Sequence, residues 1–257
     1  MLAILSDIHS NLEALTAVLE DIKSQGITEI ACLGDIIGYG PDPGPCLDLI
    51  RENSTYTVMG NHDFAVLYEP NRFNQGAEDA VFWTRQMLEA EPDPEKIAAR
   101  WDFLAELDIR EVLPGEKFGV WEILLVHGSP RRPINEYLFP DDIYNNSSKV
   151  SSALERVKNI CFVGHTHVPG IITEEMQFIS ANDLEGEYEL SAGGRSIINV
   201  GSVGQPRDRN PLACYAILDA GKIRYRRVKY DVKATAQKVH DSEHLNDYLG
   251  ARLFEGK

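Results

Sequence analysis

A layered α/β fold is predicted by three features of this 257-residue sequence. Six short apolar runs each break off abruptly into polar, chemically capable residues: "LAILS" before Asp7, "IACLG" before Asp35, "TYTVMG" before Asn61, "EILLV" before His127, "ICFVG" before His165 and "SIINVGS" around Asn199. The runs lack period-two alternation, as strands covered on both faces do. Helix-periodic segments separate the first three runs, which is the β-α-β-α-β rhythm of a mostly parallel sheet. Ligands are then expected along the edge where the strands end.

The elements follow in order. Leu12, Leu15, Leu19 and Ile22 recur at helical spacing after the first run, with Asn11 as N-cap and Gly26 as stop. A second helix follows "GYGPDPGP", with Cys46, Leu47 and Ile50 on its apolar face, and "TYTVMG" returns as the third strand. From about 64 to 114 the strand rhythm stops. There "AEDAVFWTRQMLEA" and "PEKIAARWDFLAEL" predict two helices broken at the Pro-rich "EPDPE", a helical insertion that either embellishes the packing or caps the site. Its aromatics Phe82, Trp83, Trp101 and Phe103 are assigned to the core. After Asn199 come a "GSVGQPRDRNP" loop, a hairpin turning at Ala220 and Gly221, and a C-terminal helix. No repeat, low-complexity tract or linker interrupts the chain, so residues 1–257 are expected to form a single domain.

Composition narrows the function. With 40 acidic against 25 basic residues the net charge is −15, which repels nucleic acid and anionic membranes, so extended nucleic-acid or membrane partners are not expected and an anionic substrate needs local positive charge. The start "LAILSDIHSN" has neither the basic flank of a signal peptide nor the length of a membrane span. Cys32, Cys46, Cys161 and Cys214 are widely spaced, without a C-x-x-C pair, and are expected as reduced thiols of a cytoplasmic protein.

Five of the seven histidines fall at the ends of the apolar runs: His9, His62, His127, His165 and His167. Together with Asp7, Asp35 and an asparagine at equivalent positions they argue for a metal centre. Asp7 and His9 in "DIH", and His165 and His167 in "GHTH", are two residues apart and can project from one side of an extended backbone. Asp35 in "GDIIGYG" has two oxygens with which to bridge two cations, and Asn61 in "GNHD" offers an amide oxygen. No cysteine shares these positions. A nitrogen and oxygen donor set suits Mn, Fe, Zn, Co or Ni, and so many ligands suit two ions better than one, as in two-metal hydrolytic sites. Phosphate-ester hydrolysis follows. His240 and His244, at i and i+4 near the C-terminus, sit among acidic and polar residues and are assigned to a solvated face.

The ordered set "DIH", "GDIIGYG", "GNHD", "VHGS" and "GHTH", spanning residues 7 to 167, resembles the calcineurin-like metallophosphoesterase superfamily. With "NVGSVGQPR" it is similar to the YfcE-like prokaryotic phosphodiesterase branch. The resemblance implies a four-layer αββα sandwich of two mixed sheets flanked by helices. It implies that Asp7, His9, Asp35 and His167 hold one divalent ion and that Asp35, Asn61, His127 and His165 hold the other, with Asp35 as the bridge. Mn is the first expectation, with Fe, Ni, Zn or Co as alternatives. His62 is similar to the family histidine that binds no metal and instead stabilises the transition state or protonates the leaving oxygen. The implied reaction is in-line attack of a metal-bridging hydroxide on a phosphodiester or phosphomonoester, the substrate being a small phosphate ester or a nucleotide. Alternatives are a dinucleoside polyphosphate hydrolase, a protein phosphatase, or a non-catalytic interaction scaffold of the same fold. One departure stands out: phosphoprotein phosphatases carry an Asp and an Arg where this chain has Gly38 and Tyr39, which leaves Arg131, Arg132 and Arg207 as candidates to grip phosphate.

Overall fold

The computed structural model describes all residues except Arg72 and Ala192. Its strands in chain order are β1 (Leu2–Leu5), β2 (Glu29–Cys32), β3 (Tyr56–Thr57), β4 (Arg110–Pro114), β5 (Glu122–Val126), β6 (Ile160–Val163), β7 (Gly170–Thr173), β8 (Phe178–Ser180), β9 (Glu187–Glu189), β10 (Ser196–Asn199), β11 (Ala213–Asp219) and β12 (Lys222–Val228). They form two six-stranded sheets, ordered β3-β2-β1-β11-β12-β9 and β4-β5-β6-β10-β7-β8. All six apolar runs are strands. Parallel pairing is confined to β1, β2 and β3 in the first sheet and to β5, β6 and β10 in the second. The remaining ladders are antiparallel, so both sheets are mixed rather than mostly parallel.

The helices are α1 (Leu12–Ser24), α2 (Pro43–Asn53), α3 (Asn61–Leu67), α4 (Gln75–Glu89), α5 (Pro94–Glu106), α6 (Asp142–Asn145), α7 (Ser147–Leu154), α8 (Val232–His240) and α9 (Asp247–Ala251). The side chain of Asn11 caps α1 by accepting from the Ala14 N–H at 3.1 Å, and Gly26, at φ +69°, follows the helix end. Cys46, Leu47 and Ile50 form the buried face of α2.

Alternation along β1 builds the layers, because successive side chains point to opposite faces. Ala3 and Leu5 join Leu15, Val18, Leu47 and Leu104 in a core between the first sheet and its helices. Leu2 and Ile4 point the other way and meet Ile123, Phe162 and Ile198 of the second sheet. The outer face of that second sheet, with Leu124, Cys161 and Ile197, is covered by Val150 and Leu154 of α7 and Ile143 of α6. The result is the αββα sandwich.

Three expectations are corrected. The insertion is helical only as far as Glu106: Arg110–Pro114 is β4, an edge strand antiparallel to β5. Only Leu113 of β4 is buried, so the strand carries almost no apolar signal, and Pro114 closes it without needing a ladder N–H. The insertion also begins earlier than expected, since α3 starts at Asn61 within the "GNHD" motif. Of the four aromatics assigned to the core, Trp83 is buried and Trp101 and Phe103 pack on the core, but Phe82 is exposed. The hairpin turns at Ala220 and Gly221, with φ of 48° and 76°, and the C-terminal segment is two short helices, α8 and α9, rather than one. Among the described residues no helix is long and apolar enough to cross a membrane.

The inter-sheet core should dominate stability. Phe162→Ala, in a fully buried position between the sheets, should cost about 3–5 kcal/mol. Trp121→Ala, at a side chain 68% exposed, should change stability by less than about 0.5 kcal/mol. Chemical denaturation of the two variants measures both.

Candidate metal centre

The two sheets lay the ends of their parallel strands along one edge, and the candidate residues lie in the loops just beyond. Asp7 and His9 follow β1, Asp35 follows β2, Asn61 and His62 open α3 after β3, His127 follows β5, and His165 and His167 follow β6. All eight come together. Asp7, His9, Asp35, His62, His127, His165 and His167 are buried.

The backbone is bent to achieve this. Asp7, His9, Asp35, His165 and His167 all have positive φ, from 48° to 65°, a region that costs side-chain-bearing residues about 1–3 kcal/mol each. Hydrogen bonds hold the bends. The amides of Ile8 and His9 both donate to the Asp35 carbonyl at 2.9 Å, the Asp7 amide donates to the Gly34 carbonyl at 3.0 Å, and the Gly204 amide donates to the Asp7 carbonyl at 2.9 Å. Ser202 Oγ donates to the same Asp7 carbonyl at 2.8 Å. Gly60 lets α3 approach, because a Cβ there would lie 2.2 Å from Asp35 Oδ1.

Two clusters meet beside Asp35. In the first, His167 Nε2 lies 3.1 Å and His9 Nε2 3.8 Å from Asp7 Oδ1, the two Nε2 atoms are 3.3 Å apart, and His9 Nε2 is 3.7 Å from Asp35 Oδ2. In the second, His127 Nε2 lies 3.3 Å from Asp35 Oδ2, 3.1 Å from Asn61 Oδ1 and 3.1 Å from His165 Nδ1. Asp7, His9 and His167 form one group whose donor atoms all lie within 4.8 Å of one another, and Asp35, His127 and His165 form another. Backbone carbonyls orient two of the rings. Leu33 O lies 3.0 Å from His127 Nδ1, and Gln205 O lies 2.6 Å from His167 Nδ1. With Nδ1 donating to each carbonyl, Nε2 presents a lone pair to the cluster, the second contact expected of a ligating histidine. Nitrogen pairs separated by 3.1 to 3.3 Å and a wholly N and O donor set fit divalent cations.

Electrostatics agree. Burial pushes the carboxyls of Asp7 and Asp35 up, but the surrounding imidazoles outweigh it: His167 and His127 hold Asp7, and His127, His62 and His9 hold Asp35, well below the usual carboxylate range. Burial opposes a charge on His127, yet Asp35 and Asp7 raise it to about 9. Burial lowers His165 to about 3 and His62 to about 4. The carboxylates thus stay ionised and most of the imidazoles neutral, which are the forms that bind metal.

His62 stands against Tyr39, His9 and Phe73, with ring centroids 4.4, 4.8 and 4.8 Å away. By distance alone it is also eligible as a ligand, grouping with His9 and Asp35. Its buried Nδ1 has no hydrogen-bond partner and points toward Gly38, where a Cβ would come within 2.5 Å. The glycine that replaces the phosphatase Asp therefore leaves room for the ring and no carboxylate to orient it. Beyond His62 lies a cavity of about 550 Å³, lined by Phe64, Phe73 and Asn74 on one side and by Arg132, Asn135 and Tyr137 on the other. The start of the helical insertion is one wall of the site.

Of the three arginine candidates, Arg131 turns toward Glu136 and the Lys149 carbonyl, Arg132 reaches the cavity wall, and Arg207 lies in the loop that supports His167. Sequence reading missed Tyr137, which stacks on His165 at 3.7 Å, and Asp63, which accepts from the amides of Gly60, Ile36 and Ile37 and so ties α3 to the Asp35 loop. Asp63 was in view in "GNHD"; Tyr137 carried no sequence signal. Asn199 binds the Gly164 carbonyl and the Gly201 amide and is a loop fastener. His240 pairs with Asp247 in an exposed position.

This fold and edge arrangement define a metallophosphoesterase fold, and the comparisons agree. Residues 1–222 match the profile of the calcineurin-like phosphoesterase superfamily domain, and the chain belongs to that superfamily, whose members are metal-dependent phosphoesterases. It is 40% identical over 267 aligned positions to the uncharacterized protein MJ0912 of Methanocaldococcus jannaschii, covering 100% of this chain and 98% of the relative. A metallophosphoesterase structure from Sphaerobacter thermophilus is 35% identical with a TM-score of 0.80, covering 100% of this chain and 98% of that one. The hypothetical protein PH1004 from Pyrococcus horikoshii shares the fold at 22% identity and a TM-score of 0.76, covering 100% and 99%. Yfce, a phosphoesterase from E. coli, is also a structural neighbour, at 19% identity and a TM-score of 0.44 over 89% of this chain and 99% of its own.

Asp35 lies in the group with His127 and His165 and 3.7 Å from His9 of the other, so Asp35→Asn should lower the affinity for divalent cations at both groups, the carboxylate's charge being lost from each. Analytical metal content of the dialysed variant should fall below that of the unaltered protein at both sites. Full occupancy would contradict the sharing.

Proposed function

We propose that this protein is a dimetal-dependent phosphoesterase acting on phosphodiesters or phosphomonoesters. The observation that carries the reading is the pair of buried N/O clusters meeting beside Asp35 at the mouth of a cavity. Asp7, His9, Asp35 and His167 would hold one ion, and Asp35, Asn61, His127 and His165 the other. Mn is the first candidate, with Fe, Ni, Zn or Co as alternatives. When bound, the ions supply Lewis acidity toward phosphoryl oxygens and lower the pKa of coordinated water toward neutrality.

The chain's own residues supply the rest. The Gln205 and Leu33 carbonyls hold the His167 and His127 rings so that Nε2 faces the cluster. Burial keeps His62 neutral near pH 7, so it contributes an N–H toward transition-state charge or the leaving oxygen rather than a standing positive charge. The cavity beside it falls within the usual size range for small-molecule sites and gives the leaving group a place next to that donor. Phe64, Phe73 and Tyr137 shape it, which suits a diester or a nucleotide better than a bare phosphate. The lack of a carboxylate at Gly38 weighs against a protein phosphatase. Four buried, unpaired thiols support a reducing, cytoplasmic setting.

Metal-stripped protein refilled with Mn²⁺, Ni²⁺, Fe²⁺, Zn²⁺ or Mg²⁺ should regain hydrolysis of bis-p-nitrophenyl phosphate, with p-nitrophenyl phosphate as the monoester control. His62→Ala should keep both ions and lose roughly 10²- to 10⁴-fold in kcat. Loss of an ion from that variant would make His62 a ligand instead. Silence toward both esters with every metal, despite two bound ions per chain, would favour the interaction scaffold.

A further inference from the structure

A histidine that supplies an N–H to a reaction needs its ring held in one orientation, and the usual device is a hydrogen bond at the other ring nitrogen. His127 and His167 have that device in the Leu33 and Gln205 carbonyls. His62 does not. Its buried Nδ1 finds no hydrogen-bond partner among the described residues, and Gly38 beside it has no side chain to offer one. Packing takes over instead. The rings of Tyr39, Phe73 and His9 stand 4.4, 4.8 and 4.8 Å from the imidazole, inclined to it by 51°, 72° and 82°. The last two are edge-to-face contacts, a preferred geometry for aromatic pairs, and a turned imidazole would lose them.

Tyr39 and Phe73 are themselves held from behind. Tyr39 has φ +60° directly after Gly38 at φ +90°, and a side-chain-bearing residue keeps that backbone only where its surroundings impose it. Its ring packs on a cluster that includes Trp83 of α4, Val239 of α8 and Leu249 of α9. Phe73, at the approach to α4, packs on the core between the first sheet and its helices. The insertion and the C-terminal helices thus reach the site through two rings. We propose that Tyr39 and Phe73 are positioning residues, clamping the His62 imidazole in one orientation where no carboxylate does so. The chemistry assigned to His62 rests on the phosphoesterase reading; the clamp on its ring does not.

Phe73→Ala is the cleaner probe, since Tyr39 also stands 4.9 Å from the ring of His9, whereas Phe73 pairs with His62 alone among the described rings. Metal-loaded Phe73→Ala should keep both ions and lose roughly 3- to 10-fold in kcat toward bis-p-nitrophenyl phosphate. In a His62→Ala background the same substitution should cost nothing further, because its effect passes through that ring. Tyr39→Leu should lose kcat likewise, and Tyr39→Phe, which keeps the ring, should recover most of the loss. A rise in KM at unchanged kcat, or an equal loss in the His62→Ala background, would overturn the proposal by making the rings cavity walls only. So would a Tyr39→Phe variant as impaired as Tyr39→Leu, which would assign the effect to the hydroxyl. The NMR spectrum of Zn-loaded protein reads the clamp without turnover: the His62 ring protons, identified by their loss in His62→Ala, should give one sharp set that broadens or splits in Phe73→Ala. If no ester is hydrolysed yet those signals respond, the clamp stands and the hydrolytic reading falls. A set that stays sharp and single in Phe73→Ala overturns the clamp whatever the activity.

Discussion

Two fully buried carboxylates, Asp7 and Asp35, govern this structure. Among the described residues neither is paired with a lysine or an arginine; the ionisable groups within ion-pair distance are imidazoles. A carboxylate moved from water to the protein interior carries a penalty of several kcal/mol unless a cation or well-placed donors compensate it. Part of the compensation is visible in the donated hydrogen bonds, from the His165 amide to Asp7 at 3.0 Å and from the His62 amide to Asp35 at 2.7 Å. Another part is the attraction between these carboxylates and His127, which raises its affinity for a positive charge at Nε2. Divalent cations, at the focus of both clusters, would complete it.

The fold exists in service of that focus. Two sheets packed face to face bring the ends of β1, β2, β5 and β6 to one edge, so ligands distant in sequence, such as Asp7 and His167, lie within hydrogen-bonding distance. Each strand is buried on both faces and fixed in register by its neighbours, which makes the edge rigid. That rigidity maintains the left-handed backbone at five of the candidate positions against its intrinsic cost. A flexible loop would relax the strain and scatter the donors. The pattern is that of a preorganised site, in which donor positions are set before a ligand arrives.

Much of this was legible in the sequence. The strands that carry the site are short and wholly apolar, and their chemistry-bearing residues sit immediately after them, so the signal for strand and ligand coincides. Asp7, His9, Asp35, Asn61, His127, His165 and His167 were found this way, and their convergence is what the folded chain displays. What escaped was supported by no such coincidence. β4 is an exposed edge strand with one buried residue, and β7 to β9 lie between "GHTH" and "SIINVGS", where no motif marks them. Asp63 acts by accepting backbone amides, a role that any buried carboxylate in a turn could have. Tyr137 reaches His165 across a loop of no regular period.

The central claim is that the clustered donors form one centre for two divalent ions with Asp35 between them. Crystals grown with Mn²⁺ and measured at the manganese absorption edge test it directly. Two anomalous peaks about 3.5–4 Å apart, one beside His9 and His167 and the other beside His127 and His165, with the Asp35 carboxylate reaching both, are the expected result. A single peak with Asp35 turned away from it, or peaks confined to surface carboxylates, would contradict the account.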